Sequence, residues 1–190
     1  MRLFVALIMP EEVKQAAAGM IADLKRAGAD IKWVDPANLH LTLKFLGAVE
    51  DGLLPALTEA LDGALAGRQA MEFTVQGCGA FPGAKRPQVV WLGLEGQTGP
   101  LAELSAALER ACEPLGLAPE GRAFRAHLTL GRLRRGRGPS TPLAPLVRAL
   151  AGRADWQGPA FTARRVELMH STLTPPGPIY RPLRQWELTP

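Results

Sequence analysis

The sequence predicts an α+β fold with antiparallel sheets, divided between two similar lobes. Three observations carry that expectation. Strand-like apolar runs are interleaved with segments of helical period. Several links between strands are short and rich in turn residues. One tetrapeptide, His-Leu-Thr-Leu, occurs at 40–43 and again at 127–130, 87 positions on and in the other half of the chain, as a duplicated unit would leave it.

The elements follow in order. Leu3–Met9 reads as a buried strand. Pro10, Glu11 and Glu12 then suit a helix start, where a fixed φ and negative charge are favoured. Val13, Ala17, Met20, Ile21 and Leu24 recur at helical spacing as far as Gly28. Ile31–Val34, the turn residues Asp35-Pro36-Ala37-Asn38 and Leu39–Leu46 read as two strands with a hairpin-like link. Leu53–Leu65 is amphipathic, Phe73–Cys78 and Val89–Leu94 read as strands, and Leu101–Leu115 is a third helix. His127–Leu133, Arg165–Met169 and Leu183–Leu188 read as strands, with a short helix at Leu143–Leu150.

The 190 residues suit one domain or two small lobes sharing a core. The composition, 47% hydrophobic and 21% charged, is that of a globular protein, and the 20 glycines and 17 prolines are scattered rather than gathered in a tract. The net charge is +4, with 17 arginines against 5 lysines. Such a balance favours a polyanionic partner, and an Ala/Arg/Gly/Pro coding bias is the competing explanation. Cys78 and Cys112 stand alone, which argues against a disulfide scaffold. The opening apolar run is too short to span a bilayer and lacks a small-residue cleavage site, so it reads as a strand rather than a signal peptide. A cytoplasmic protein without membrane contact is expected.

The repeated tetrapeptide carries the chemistry. Side chains alternate along a strand, so His40 and Thr42 share one face while Leu41, Leu43 and Phe45 take the other; His127 and Thr129 repeat the arrangement against Leu128 and Leu130. If the lobes face each other, two imidazoles and two hydroxyls line one cleft. That set suits opening a strained cyclic phosphodiester. A neutral imidazole takes a proton from water, an imidazolium gives one to the leaving oxygen, and histidine suits both with a reference pKa of about 6.5. The hydroxyls of Thr42 and Thr129 can donate to phosphate oxygens as their charge grows. A lone His-x-Thr-x is weak evidence, but two of only three histidines fall in the repeat.

The third histidine, His170, shares a strand face with Val166 and Leu168, which suits a structural role. No HxH, HExxH or carboxylate at ligand spacing adjoins either motif, so no metal or other cofactor is expected. Arg122, Arg125, Arg132, Arg134, Arg135 and Arg137 crowd the second motif. Arg132, five residues after His127, has the wrong parity for the cleft unless a bulge at Gly131 turns it there; a guanidinium so turned suits phosphate. Arg134, Arg135 and Arg137 read as a solvated loop or a loose RNA-backbone contact. Phe45 and Tyr180 are candidate surfaces for base stacking, with burial in the core as the alternative for each.

At these residues the chain resembles the two-histidine (2H) phosphoesterases, specifically the LigT-like RNA 2′,3′-cyclic phosphodiesterases. Their hallmark, two His-x-Thr/Ser-x motifs, is matched at His40–Leu43 and His127–Leu130. Met1–Ala6 looks like the family's opening strand, His40–Gly47 and His127–Arg132 like its motif blocks, and Leu168, Ser171, Leu173, Gly177 and Tyr180 like its C-terminal signature. Ala126 stands where the family often has proline. The resemblance implies that residues 1–190 form a single domain of two intertwined, pseudo-symmetric lobes, with sheets facing a central cleft and helices outside. It implies metal-independent hydrolysis of RNA 2′,3′-cyclic phosphate ends, on tRNA fragments or nucleotides among them, to 2′-phosphates by a monomer, with reversal as 2′–5′ ligation. It casts His40 as general acid and His127 as general base, Thr42, Thr129 and Arg132 as phosphate ligands, and Phe45, Ser171 and Tyr180 as base or ribose contacts. The rival readings are a 2H enzyme for small cyclic nucleotides, 2′–5′ oligoadenylates or RNA 3′ tails, and a non-catalytic RNA-binding module.

Overall fold

The computed structural model describes residues 1–83, 85–134, 142–175 and 177–190; Arg135 and Arg137 lie outside them. Nine strands and four helices run in the order β1 (Arg2–Ile8), α1 (Glu11–Lys25), β2 (Ile31–Trp33), β3 (His40–Ala48), α2 (Leu54–Leu65), β4 (Met71–Phe81), β5 (Val89–Gly96), α3 (Thr98–Cys112), β6 (His127–Leu133), α4 (Ala144–Ala151), β7 (Gln157–Ala163), β8 (Arg165–Leu173) and β9 (Pro178–Glu187) among the described residues. They build two antiparallel sheets, β3-β1-β8-β9 and β2-β6-β5-β4-β7. The α+β, bilobal expectation therefore holds, with one motif strand in each sheet.

Two of the helices, α1 and α3, are exchanged between the lobes. α1 follows β1 of the first sheet yet lies against β7 and α4; α3 follows β5 of the second sheet yet lies against β3 and α2. The apolar stripe of α1, Val13, Ala17, Met20, Ile21 and Leu24, is buried as its period requires. So are Leu101, Leu104 and Leu108 of α3. Together with Leu3, Val5 and Leu7 of β1 and Leu128 and Leu130 of β6, they form one continuous core. Cys78 and Cys112 are free and buried in it, where loss of solvation pushes their thiols up to about 12 and about 11. None of the described helices is long and apolar enough to cross a membrane.

Two expectations are corrected. The turn at Asp35–Asn38 does not close a hairpin: β2 pairs with β6 of the second sheet and β3 with β1 of the first. The turn is a 3₁₀ segment with Pro36 at its start and the Asp35 carboxylate accepting from the Ala37 N–H. A rigid turn of this kind redirects the chain from one lobe to the other. The strand β7 went unread because Gly158 and Pro159 break its pattern; it is an edge strand, where proline costs no ladder bond.

Candidate active site

Both motif strands begin with the predicted alternation. His40, Thr42, His127 and Thr129 are partly exposed, while Leu41, Leu43, Leu128 and Leu130 are buried. Alternation then fails in both strands at the same place. In β3 the pairing with β1 runs Thr42↔Ala6 and then Lys44↔Val5, leaving Leu43 as an extra residue, and a second shift skips Leu46. In β6 the pairing with β5 runs Thr129↔Trp91 and then Gly131↔Val90, leaving Leu130 extra. The carbonyls at these bulges find partners outside the two ladders. Ser105 Oγ of α3 donates to the Leu43 carbonyl (2.8 Å), and the Val34 N–H donates to the Leu130 carbonyl (2.8 Å).

The bulges reset the parity of the residues beyond them. Phe45 was expected opposite His40; instead it stands opposite Phe4, stacks on that ring at 5.9 Å and is 45% exposed. Arg132 lies past a bulge at Leu130, one residue before the Gly131 position expected, and the bulge changes its parity as that expectation required. It is exposed, and its charge acts on both His127 and Tyr180, so one guanidinium from the second lobe addresses the first. Gly131 leaves the room this needs: a Cβ there would meet Ile31 Cγ2 at 2.5 Å and the Lys32 carbonyl at 3.2 Å. The motif strands themselves lie against each other across the lobes.

Each imidazole is held in the same way. His40 Nδ1 lies 2.7 Å from the Asn38 carbonyl, and His127 Nδ1 lies 2.7 Å from the Arg125 carbonyl. A carbonyl only accepts, so Nδ1 carries hydrogen in both rings and Nε2 is left for chemistry. Each ring also meets an aromatic edge at right angles, Tyr180 for His40 (5.2 Å) and Phe81 for His127 (5.0 Å). Phe4 adds a tilted contact to His40 at 4.8 Å. Burial lowers the pKa of both histidines against the carbonyl bond that raises it, and the Arg132 charge lowers His127 further. Among the described residues, the hydroxyls of Thr42 and Thr129 have no hydrogen-bond partner. Among the described residues, no three His, Cys, Asp or Glu side chains gather as a metal site.

The remaining candidates sort by face. Ser171 is buried and pairs with Tyr180, beside Met169, Phe4 and Ala6 on the side that carries His40. Burial raises the Tyr180 phenol, while Arg132 and Arg2 lower it. His170 pairs with Leu3 and shares the core-facing side of β8 with Val166 and Leu168, in keeping with a structural role. Arg134 pairs with Asp30 at 3.6 Å, both exposed. Sequence reasoning missed Phe81 and Trp91. Trp91 stands opposite Thr129 with its indole over Gly79, where a Cβ would lie 2.5 Å from the ring, and its buried Nε1 has no hydrogen-bond partner among the described residues. The Gly79 and Gly93 pair flanking this indole was the available signal.

Known proteins resemble this chain along nearly its whole length. The family model described as LigT like Phosphoesterase matches residues 7–91 and again 92–180, and each match contains one motif. The chain belongs to the LigT-like phosphoesterase family. It is 33% identical over 189 residues to the RNA 2′,3′-cyclic phosphodiesterase of Methanothermobacter thermautotrophicus, covering 98% of each chain. It is 34% identical over 187 residues to the enzyme of that name from Archaeoglobus fulgidus, covering 98% of this chain and 100% of that one. The crystal structure of TT0787 of Thermus thermophilus superposes with a TM-score of 0.80 at 27% identity, over 99% of this chain and 98% of the other.

Proposed function

We propose that this LigT-like phosphoesterase hydrolyses RNA 2′,3′-cyclic phosphate ends to 2′-phosphates without a metal, His127 acting as general base and His40 as general acid. The observation that carries the reading is the matched pair of imidazoles, one per lobe, each with Nδ1 spent on a backbone carbonyl. Both lobes are then needed for one reaction, so residues 1–190 work as a single unit, and one copy suffices.

In the reaction, water adds to phosphorus as His127 Nε2 takes one of its protons. The phosphorus–O3′ bond breaks, and its electron pair leaves on O3′ as His40 Nε2 donates a proton there. The product carries a 2′-phosphate and a free 3′-hydroxyl, and proton exchange with solvent resets the pair. A 5′-hydroxyl in place of water gives a 2′–5′ linkage. Thr42, Thr129 and Arg132 hold the non-bridging oxygens, while Phe45, Ser171 and Tyr180 meet the terminal nucleoside.

The electrostatics favour this order of roles. Arg132 beside His127 opposes its protonation, as a base requires. His40 has no such cation among the causes of its shift, and an arriving phosphate anion raises its pKa to make the imidazolium. The test is an oligonucleotide ending in 2′,3′-cyclic phosphate, with the product read by phosphorus NMR. A 2′-phosphate is expected; a 3′-phosphate reverses the leaving oxygen, and no turnover overturns the activity.

A further inference from the structure

We propose that the rim of the first lobe beyond Tyr180 binds the nucleotide on the 5′ side of the cyclic phosphate, with Leu173 under its base and Arg2 on the phosphodiester that joins it to the terminal nucleotide. This rests on the function proposed above and specifies its substrate as an RNA chain rather than a mononucleotide.

Three large hydrophobic side chains stand exposed among the described residues: Phe45 at 45%, Leu173 at 68% and Ile179 at 61%. All belong to the first sheet. Leu173 and Ile179 come from the hairpin between β8 and β9, where Ser171 pairs with Tyr180, Thr172 with Ile179 and Leu173 with Pro178. Paired residues share a face and successive pairs alternate. Tyr180 is on the His40 side, since the two rings touch. Leu173 and Pro178 therefore continue the cleft surface outward, and Ile179 points from the opposite face.

The hairpin is pinned rather than free. The Asn38 amide donates to the Pro178 carbonyl at 3.4 Å, tying β9 to the residues that precede His40. The Thr174 N–H donates to the Gly177 carbonyl at 3.1 Å across the turn. Arg2 stands at the same end, because β1 pairs Leu3 with His170 and one further step sets Arg2 beside Ser171. Its guanidinium lies 5.9 Å over the Phe45 ring, its charge acts on Tyr180, and it has no carboxylate partner among the described residues.

An apolar shelf beside an unneutralised guanidinium, continuous with the aromatic wall around His40, matches one repeat of an RNA strand. The base needs a face to rest on, and the phosphodiester needs a cation. A mononucleoside cyclic phosphate fills neither place.

The experiment measures calorimetric affinity for two product-like ligands, adenosine 2′-phosphate and the dinucleotide adenylyl-(3′→5′)-adenosine ending in a 2′-phosphate. Binding is read without turnover, so failure of the catalytic reading and failure of this one remain distinct. The dinucleotide should bind about tenfold more tightly. Leu173→Ser should shrink that ratio to about twofold, Ile179→Ser should leave it unchanged, and Arg2→Gln should lower the salt dependence of dinucleotide binding by about one phosphate contact. Circular dichroism checks the fold of each variant. Equal affinity for the two ligands, or an Ile179→Ser loss as large as that of Leu173→Ser, overturns the assignment.

Discussion

Phe45 and Arg132 occupy one position in two strands: each stands five residues after its motif histidine and just past a bulge that leaves the motif's second leucine unpaired. The duplication thus preserved a backbone irregularity as well as a tetrapeptide, and the two copies fill the position differently. The first lobe presents a ring and the second a guanidinium, which suits a substrate with a base at one end and a phosphate at the other.

Removing the guanidinium should therefore affect the phosphate first. Arg132→Ala is expected to weaken competitive inhibition by phosphate or sulfate by about tenfold, since hydrogen bonds to charged groups are worth about 1.5–3 kcal/mol. Arg134→Ala, which breaks an exposed pair with Asp30, should change the inhibition constant little. Equal effects of the two variants would mean that the general field of the basic loop, and not Arg132, holds the anion.

Proton transfer and oxyanion contacts separate by size. His40→Ala and His127→Ala should each lower turnover on the order of 10²–10⁴-fold with the fold intact. Thr42→Val and Thr129→Val keep the side-chain shape and delete the donor. A donor to a developing oxyanion is worth about 2.7–4 kcal/mol where water is excluded, and these threonines are only partly buried, so a smaller loss is expected. Steady-state kinetics on a cyclic-phosphate oligonucleotide decides the matter; wild-type turnover in either histidine variant removes that residue from the mechanism.

The pH dependence comes from the direction of both shifts. With folded pKa values below 6.5, the unfolded chain binds more protons than the folded one between those values and about 6.5. The stability contributed by the two neutral imidazoles is complete above about pH 6.5 and is lost as pH falls through the folded values. The thermal midpoint should drop across that window, and less steeply in the His40→Ala, His127→Ala double variant. The kcat/KM profile should be a bell belonging to the coupled pair. Arg132→Ala should move its acidic limb to higher pH, because the charge that opposes protonation of His127 is gone; an unmoved limb contradicts the assignment of His127 as base.

Much of this site was legible in the sequence, and the remainder was hidden for a physical reason. The histidines and threonines were readable because they precede the bulges, where strict alternation holds. Phe45 was placed on the wrong face because a bulge inserts a residue without any change of composition. Arg132 was recoverable only because Gly131 advertises a crowded backbone. The link from β2 to β3 was misread as a hairpin because a rigid turn between two apolar runs looks alike whether the strands pair or part. Phe81 and Trp91 reach the site through cross-strand pairing with residues distant in the chain, which no local pattern encodes.

A buried charge stands next to the first bulge, and what it contributes there can be measured. Lys44 follows the bulged Leu43, is 2% exposed, and sends its ammonium to Glu109 of α3 at 2.5 Å and to the Ala118 carbonyl at 3.3 Å. The corresponding residue of the second lobe is Gly131, so the pair belongs to one lobe only. A buried pair adds little over an apolar replacement, but losing one partner leaves the other charged and unsolvated, at a cost of about 3–5 kcal/mol. Glu109→Ala should therefore destabilise the protein by roughly the lower end of that range, because the Glu109 side chain retains 23% exposure and water can reach the ammonium. Lys44→Met removes the charge, keeps most of the volume and should cost less. Since Lys44 precedes Phe45, Glu109→Ala should also raise KM for an oligonucleotide more than it lowers kcat. Denaturant unfolding and steady-state kinetics on the two variants give the answer. If Lys44→Met proves the more damaging to stability, the ammonium itself, and not its pairing with Glu109, holds the bulge in place.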